Sequence, residues 1–254
     1  MELETGTRAI ISLAWARRLG LPDSALHFAA MGESAARVLA PDDDAESVVF
    51  LRLLRGSALA GPAWFLDAAK DVGDDELAQE STLVRLIRDN IGSHDARGTG
   101  EYSLYYLDEP LDVAPSESTV VSFEPGHAAE LENKCPSDDL AGVALSRRGH
   151  TFTLLADDGH APLAGAGYDV WEGLIADVTA ITAPSLRRHG LGSYISAVAA
   201  DEALTQGLVP QWRAGLSHRA AHQTANSLGF VLAGSVTGAR IGLPPAPPAG
   251  QERS

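Results

Sequence analysis

The chain has 254 residues, room for one large domain or two of ordinary size, and 45% of them are apolar, enough for a core. Its 19 basic and 34 acidic side chains leave a net charge of −15. That balance excludes the basic face that sequence-independent nucleic-acid binding needs, and it opposes adhesion to anionic lipid, so neither nucleic acid nor membrane is an expected partner. One cysteine, Cys135, rules out an internal disulfide framework and suits a reducing cytoplasm. Cys135 itself reads as a buried, inert thiol rather than a nucleophile. No apolar run is long enough to span a membrane. The acidic start Met1-Glu2-Leu3-Glu4 lacks the basic opening of a signal peptide.

Thr7 to Leu19 is apolar at helical spacing, and Gly20-Leu21-Pro22-Asp23 ends it. Asp23 or Ser24 can cap a second helix running to about Met31. Ser47 to Leu54 and Ser57 to Leu66 are apolar runs separated by Arg55-Gly56, which predicts a hairpin. Asp74-Asp75-Glu76 places acids in the first turn of a helix continuing to about Ile91. Glu101 to Leu107, with Tyr102, Tyr105 and Tyr106, reads as a strand. Pro110 to Pro115 is a turn-rich link. Beyond it lie a strand at Thr119 to Phe123, short helices at Gly126 to Lys134 and Asp138 to Leu145, and strands at Thr151 to Ala156 and Pro162 to Trp171 around the turn Asp157-Asp158-Gly159-His160.

The chain is organised around Leu174 to Leu204. Leu174 to Thr182 is apolar and β-branched, as in a buried strand. Pro184 breaks it, and Arg187-Arg188-His189-Gly190-Leu191-Gly192 leads into a helix from Ser193 to Leu204. A helix start offers unpaired N–H groups and the positive end of a dipole, which suits a phosphate. Gly190 and Gly192 remove Cβ atoms that would hold a ligand away. Gly207 to Trp212 reads as the next strand, Ser217 to Leu228 as a helix closing in Leu228-Gly229-Phe230, and Val231 to Ile241 as a last strand. Pro244 to Ser254 is a Pro-rich, polar tail with the composition of disorder.

Arg187-x-x-Gly190-x-Gly192 after a strand, together with the Leu-Gly-Phe closure downstream, resembles the acyl-CoA pyrophosphate loop and final helix of the GNAT superfamily of N-acyltransferases. The resemblance covers residues 116 to 243. It implies an α/β (α+β) fold: a mixed twisted sheet flanked by helices, preceded by an N-terminal helical plus small β region over 1–112. That region is either a degenerate half of the same fold or an extension covering the substrate side.

The resemblance implies acetyl-CoA as co-substrate, no metal, and a small-molecule or peptide amine as acceptor, with a homodimer left open. Arg187, Arg188, His189, Gly190, Leu191, Gly192 and Ser193 would hold the pyrophosphate, and the backbone of Ala180, Ile181 and Thr182 the pantetheine arm. Base candidates are Glu172 and Asp177, the latter facing water, the acceptor, or an ion-pair partner in Arg187 or Arg188. Many members of the superfamily carry a tyrosine acid where this chain has Ala225, and an asparagine where it has His218. His218 and His222, four residues apart, are therefore candidates to contact the cofactor or protonate the thiolate, with Tyr194 and Tyr168 as further acids. Trp64, Trp171 and Trp212 are candidates to line a pocket or to pack in the core. Net negative charge would steer a cationic acceptor. The alternative reading is an acyl-CoA-binding regulatory module with weakened catalysis.

Overall fold

A computed structural model describes residues 2–33, 35–92, 95–113, 119–140, 142–156 and 161–242. The expected turn at 157–160 and the tail at 244–254 lie outside the described residues. The first part of the chain holds α1 (Thr5–Arg18), α2 (His27–Ala30), β1 (Val38–Pro41), the hairpin β2 (Ser47–Leu53) and β3 (Gly56–Gly61), α3 (Ala63–Ala68), α4 (Asp74–Leu77), α5 (Glu80–Ile91) and β4 (Arg97–Tyr106). The second holds β5 (Thr119–Ser122), α6 (Pro125–Lys134), α7 (Ser137–Leu140), β6 (His150–Ala156), β7 (Pro162–Trp171), β8 (Ile175–Thr182), α8 (Leu191–Thr205), β9 (Val209–Gly215), α9 (Arg219–Ser227) and β10 (Val231–Arg240).

Two expected elements differ for visible reasons. The run from Ser57 stops at Gly61, because Pro62 has no N–H for a ladder and instead caps α3. The helix expected over 74–91 breaks between α4 and α5. There the Ala78 carbonyl accepts from Thr237 Oγ1 at 2.8 Å, and the Glu80 N–H donates to Glu101 Oε1 at 2.7 Å. Tertiary partners have taken backbone groups that a continuous helix would pair internally. The short strand β1 was not anticipated; it lies parallel to β3.

The ten strands of the described residues form one mixed sheet in the order β1-β3-β2-β10-β4-β9-β8-β7-β6-β5, flanked by helices, as the fold-class expectation required. Strands from both sides of the expected division at 112–116 interleave: β4 lies between β9 and β10, and β2 on the far side of β10. On one face, α8 packs Ile195, Ala199, Ala200 and Ala203 against Ala166, Tyr168, Ala176 and Val178. Alanines on that helix let its axis approach the sheet closely. On the other face, α1 packs Ile11, Ala14 and Trp15 against Leu51, Leu53, Leu104 and Tyr106.

A buried chain of hydrogen bonds crosses this second interface. Trp15 Nε1–H donates to the Tyr106 hydroxyl at 2.6 Å, and Tyr106 donates to Gln211 Oε1 at 2.6 Å. Gln211 Nε2 then donates to Asp177 Oδ1 at 3.1 Å. Register explains the alignment, since Tyr106 is the β4 partner of Gln211 and Gln211 the β9 partner of Asp177. Burial pushes the Tyr106 phenol well above its ordinary range, so it stays a neutral donor.

Removing the Tyr106 hydroxyl would orphan the Trp15 N–H and the Gln211 oxygen together. Tyr106→Phe is therefore expected to lower the unfolding free energy by ~2–4 kcal/mol, read as a lower urea midpoint at unchanged slope.

Candidate functional site

The site begins where two neighbouring strands part. β8 and β9 pair in parallel only from Ile175/Val209 to Val178/Trp212. Beyond that, Thr179–Thr182 stay with β7 through Gly167–Ala164, while Arg213–Gly215 stay with β4 through Leu104–Tyr102. The gap opens a cleft of about 1010 Å³ whose walls include Asp177 to Thr182, the turn into α8, and the end of β9 with the start of α9. The β8 edge from Thr179 to Thr182 faces this cleft without a β9 partner, so an extended chain can add to it as a strand does.

One turn of 3-10 helix, Pro184–Leu186, and the loop to Gly190 bring the chain from β8 into α8. Gly190 caps α8 at φ +82°, a conformation that costs side-chain-bearing residues about 1–2 kcal/mol. Tyr194 N–H, bonded to Gly190 O at 2.9 Å, is the first amide paired within the helix. The amides of Leu191, Gly192 and Ser193 are those that helix geometry leaves without an intrahelical acceptor. A Cβ on Gly192 would stand 2.7 Å from Thr182 Oγ1, so glycine is what lets the helix start sit on the end of β8.

The two arginines of this turn differ. Arg187 is held by the Asp139 carboxylate of α7 and donates from Nε to Thr182 O at 3.4 Å. Arg188 sits at φ +65°, is exposed, and lines the cleft with no ion pair among the described residues. A residue held in the left-handed region against its preference, at the mouth of a cleft, is a frequent mark of a ligand clamp. His189 is exposed and does not line the cleft.

The proposed acids and bases scatter. Asp177 is in the cleft, and of the alternatives for it an ion pair is what forms, but to neither Arg187 nor Arg188. It binds Arg213, which donates from Nε to Oδ1 at 3.0 Å and from Nη2 to Oδ2 at 2.6 Å, and it also accepts from Gln211. Three of its roughly four acceptor positions are occupied, so it is engaged in a structural network rather than standing free in the cleft. Glu172 is not in the cleft at all. With Gly173 it forms the β7–β8 turn, both residues at positive φ, and it is exposed at the end of the strand pair, beyond the Trp171/Ile175 register pair. Tyr194 packs against the α8 face of the core, outside the cleft wall. Tyr168 is buried under α8, stacked on His150 at 4.4 Å, and burial pushes its phenol up.

The two histidines also separate. His218 ends up at the cap of α9, exposed on the cleft wall. His222 is half-buried between two partners. Its Nε2 lies 3.1 Å from Gly215 O, which assigns the proton there and leaves Nδ1 to accept from the Tyr105 hydroxyl at 2.8 Å. Ala225 is wholly buried, and its carbonyl accepts the Phe230 N–H at 3.0 Å, so the Leu228-Gly229-Phe230 closure returns Phe230 to the core beside Trp212. Of the tryptophans, Trp212 lines the cleft, Trp171 packs edge-on against Trp15, and Trp64 packs against Phe65. Tyr102, Arg148 and Arg213 line the cleft and were not anticipated. Strand register brings Tyr102 and Arg213 there, and the loop before β6 brings Arg148; neither leaves a local signal.

No family model matches the chain, and no curated protein is detectably similar to it in sequence. Solved structures similar to it include a GCN5-related N-acetyltransferase from Sphaerobacter thermophilus, 11% identical over 95% of both chains with a TM-score of 0.48. Another is a GCN5-related N-acetyltransferase from Kribbella flavida, 17% identical over 58% of this chain and 60% of that one, with a TM-score of 0.43. A third, from Salmonella typhimurium, was solved with its cofactor acetyl-CoA; it is 16% identical over 53% of this chain and 100% of that one, with a TM-score of 0.34. At such identities and TM-scores these likenesses assign no residue a role, and the roles rest on this chain's own geometry. No group of three or more metal-ligating side chains occurs among the described residues, and none of its helices is long and apolar enough to cross a membrane.

Cys135 lies beside the loop, its Sγ 3.9 Å from Thr182 O, and burial raises its thiol above the ordinary range. A raised value means less thiolate at neutral pH, hence a weaker nucleophile. Alkylation of native protein by iodoacetamide at pH 7.5 is expected to run slower than that of a free cysteine peptide. The rate should climb only as pH passes above the usual thiol range, and a fast neutral reaction would contradict the assignment.

Proposed function

We propose that this protein is an acyl-CoA-dependent N-acyltransferase that moves an acetyl group to a primary amine by direct attack in a ternary complex. One conjunction carries the reading: the open β8 edge Thr179–Thr182 meets, in one cleft, the unpaired amides opening α8 and the unpaired Arg188. Coenzyme A has the same two parts in the same order, an amide-bearing arm and a diphosphate. The amides of residues 191–193, the helix dipole and Arg188 would hold the diphosphate. The backbone of Ala180 to Thr182 would pair with the arm. Arg187 remains on Asp139 and shapes the turn.

Acyl-CoA bound there supplies a thioester carbonyl; overall an N–C bond forms, the C–S bond breaks, and the proton lost by the amine ends on the thiol. A backbone N–H on the β8 edge would steady the carbonyl oxygen. The amine must arrive neutral. With Asp177 locked by Arg213 and Glu172 remote, His218 is the cleft-lining imidazole available to hold the amine's proton, and the open cleft lets water carry it away. The acceptor reading is a small-molecule or peptide amine, in a cytoplasmic setting.

One observation favours a second reading, a CoA-binding regulatory module: Asp177 is engaged by Arg213 and Gln211, and Ala225 stands buried where a tyrosine acid would be expected. Thiol release separates the two, since a module binds CoA without turnover.

Coenzyme A at 100-fold over its dissociation constant is expected to add about 2.7 kcal/mol of stability, raising the melting temperature by roughly 5–10 °C. Arg188→Glu should cut CoA affinity on the order of 10-fold or more without lowering the melting temperature of the free protein, because the substitution leaves the core and every ion pair intact. An unchanged affinity would remove Arg188 from the site, and no shift at millimolar CoA would sink the reading.

A further inference from the structure

Asp177 and Asp169 are register partners on β8 and β7, so two carboxylates stand opposite each other on one face of the sheet. Such a pair repels unless cations join it. Two arginines do so, and they are used very differently. Arg148 is spent: Nη1 donates to Asp169 at 2.9 Å and lies 3.9 Å from Asp177, Nε donates to Val143 O at 3.1 Å, and Nη2 to Gly142 O at 3.2 Å. Arg213 engages Asp177 through Nε and Nη2, and among the described residues its Nη1 donates to nothing. Its side chain is 39% exposed on the cleft wall, with the Tyr102 ring centre 5.8 Å from the guanidinium carbon.

A two-point grip on a buried carboxylate fixes the plane of the guanidinium before any ligand arrives, so little side-chain entropy remains to be lost on binding. The free Nη1 edge is thus a preset anion donor. It stands on β9, past the fork at Val178/Trp212, on the wall opposite the turn that carries Arg188. The diphosphate site and this donor are therefore two separate anion positions in one cleft. The cleft wall holds four arginines, 148, 187, 188 and 213, against the three aspartates 138, 139 and 177, in a chain of net charge −15. Local charge here opposes the cationic acceptor that the whole-chain charge suggested.

We propose that Arg213, oriented by Asp177, anchors a carboxylate of the acceptor, so that the preferred acceptor is an amine that also bears a carboxylate, of the amino-acid class. Asp177 is then a positioning residue for Arg213 rather than a base. The proposal rests on the acyl-transfer reading of the same cleft.

The test uses the full chain with acetyl-CoA and matched acceptors: amino acids, their carboxamides, and the corresponding amines without the carboxylate. Thiol release should favour the carboxylate member on the order of 10- to 100-fold in kcat/KM, mainly through KM. Arg213→Met should level the series, and Arg213→Lys should restore part of the preference, with CoA affinity by calorimetry unchanged in both. Should Arg213→Met fail to fold because Asp177 is left buried and unpaired, Asp177→Asn/Arg213→Met removes both charges, and the selectivity of the native protein decides by itself. If no acceptor turns over, calorimetric titration of amino acid against carboxamide into CoA-loaded protein reads the anchor directly. Equal treatment of the two with CoA bound overturns the anchor alone. Failure of the native protein to bind CoA overturns the acyl-transfer reading instead.

Discussion

The structure depends on hydrogen bonds that β8 and β9 do not make. After four paired residues each strand keeps its outer neighbour and gives up the inner one. Backbone groups inside a sheet are normally all paired, so an unpaired stretch of central strand is costly unless something else meets it. That stretch ends at the helix start whose amides are likewise unpaired. Two sets of backbone donors and acceptors thus converge on one cleft.

The N-terminal part of the chain has a direct stake in this site. Its strand β4 supplies the outer neighbour that holds β9 away from β8 and places Tyr102 on the cleft wall. Its helix α1 starts the buried chain from Trp15 through Tyr106 and Gln211 to Asp177, and Asp177 in turn fixes Arg213. Each group in that chain is satisfied by the next, so loosening any one leaves a buried polar atom unpaired. A rigid sheet interior thereby sets the orientation of a side chain at the cleft surface.

Charge in this protein is organised locally against its total. The acidic excess is spread over the surface, while the cleft gathers arginines whose partners are chosen one by one. Arg187 and Arg148 are neutralised by Asp139 and Asp169; Arg188 and one edge of Arg213 are not. Net charge governs long-range steering, but recognition at a few ångströms follows the unpaired groups.

The sequence by itself determined the periodicities and breaks: the apolar run of β8, the proline after it, the glycines before α8, and the closure that returns Phe230 to the core. Those are local signals, because strand alternation, helix starts and turn conformations depend on neighbours in the chain. For that reason the strand, the turn and the helix that follows it lie where the sequence predicts them. It could not place the polar side chains. Glu172, a base candidate by its place just before the core strand, lies exposed in the β7–β8 turn, and of two histidines four residues apart the first caps the helix while the second is held inside it. Arg213 meets Asp177 and Tyr102 through the register of β4, β9 and β8, and Arg148 reaches Asp169 from the loop before β6, all from residues separated by tens of positions in the chain. Pairing at that range is decided by which faces can be buried together, and only the folded sheet settles it.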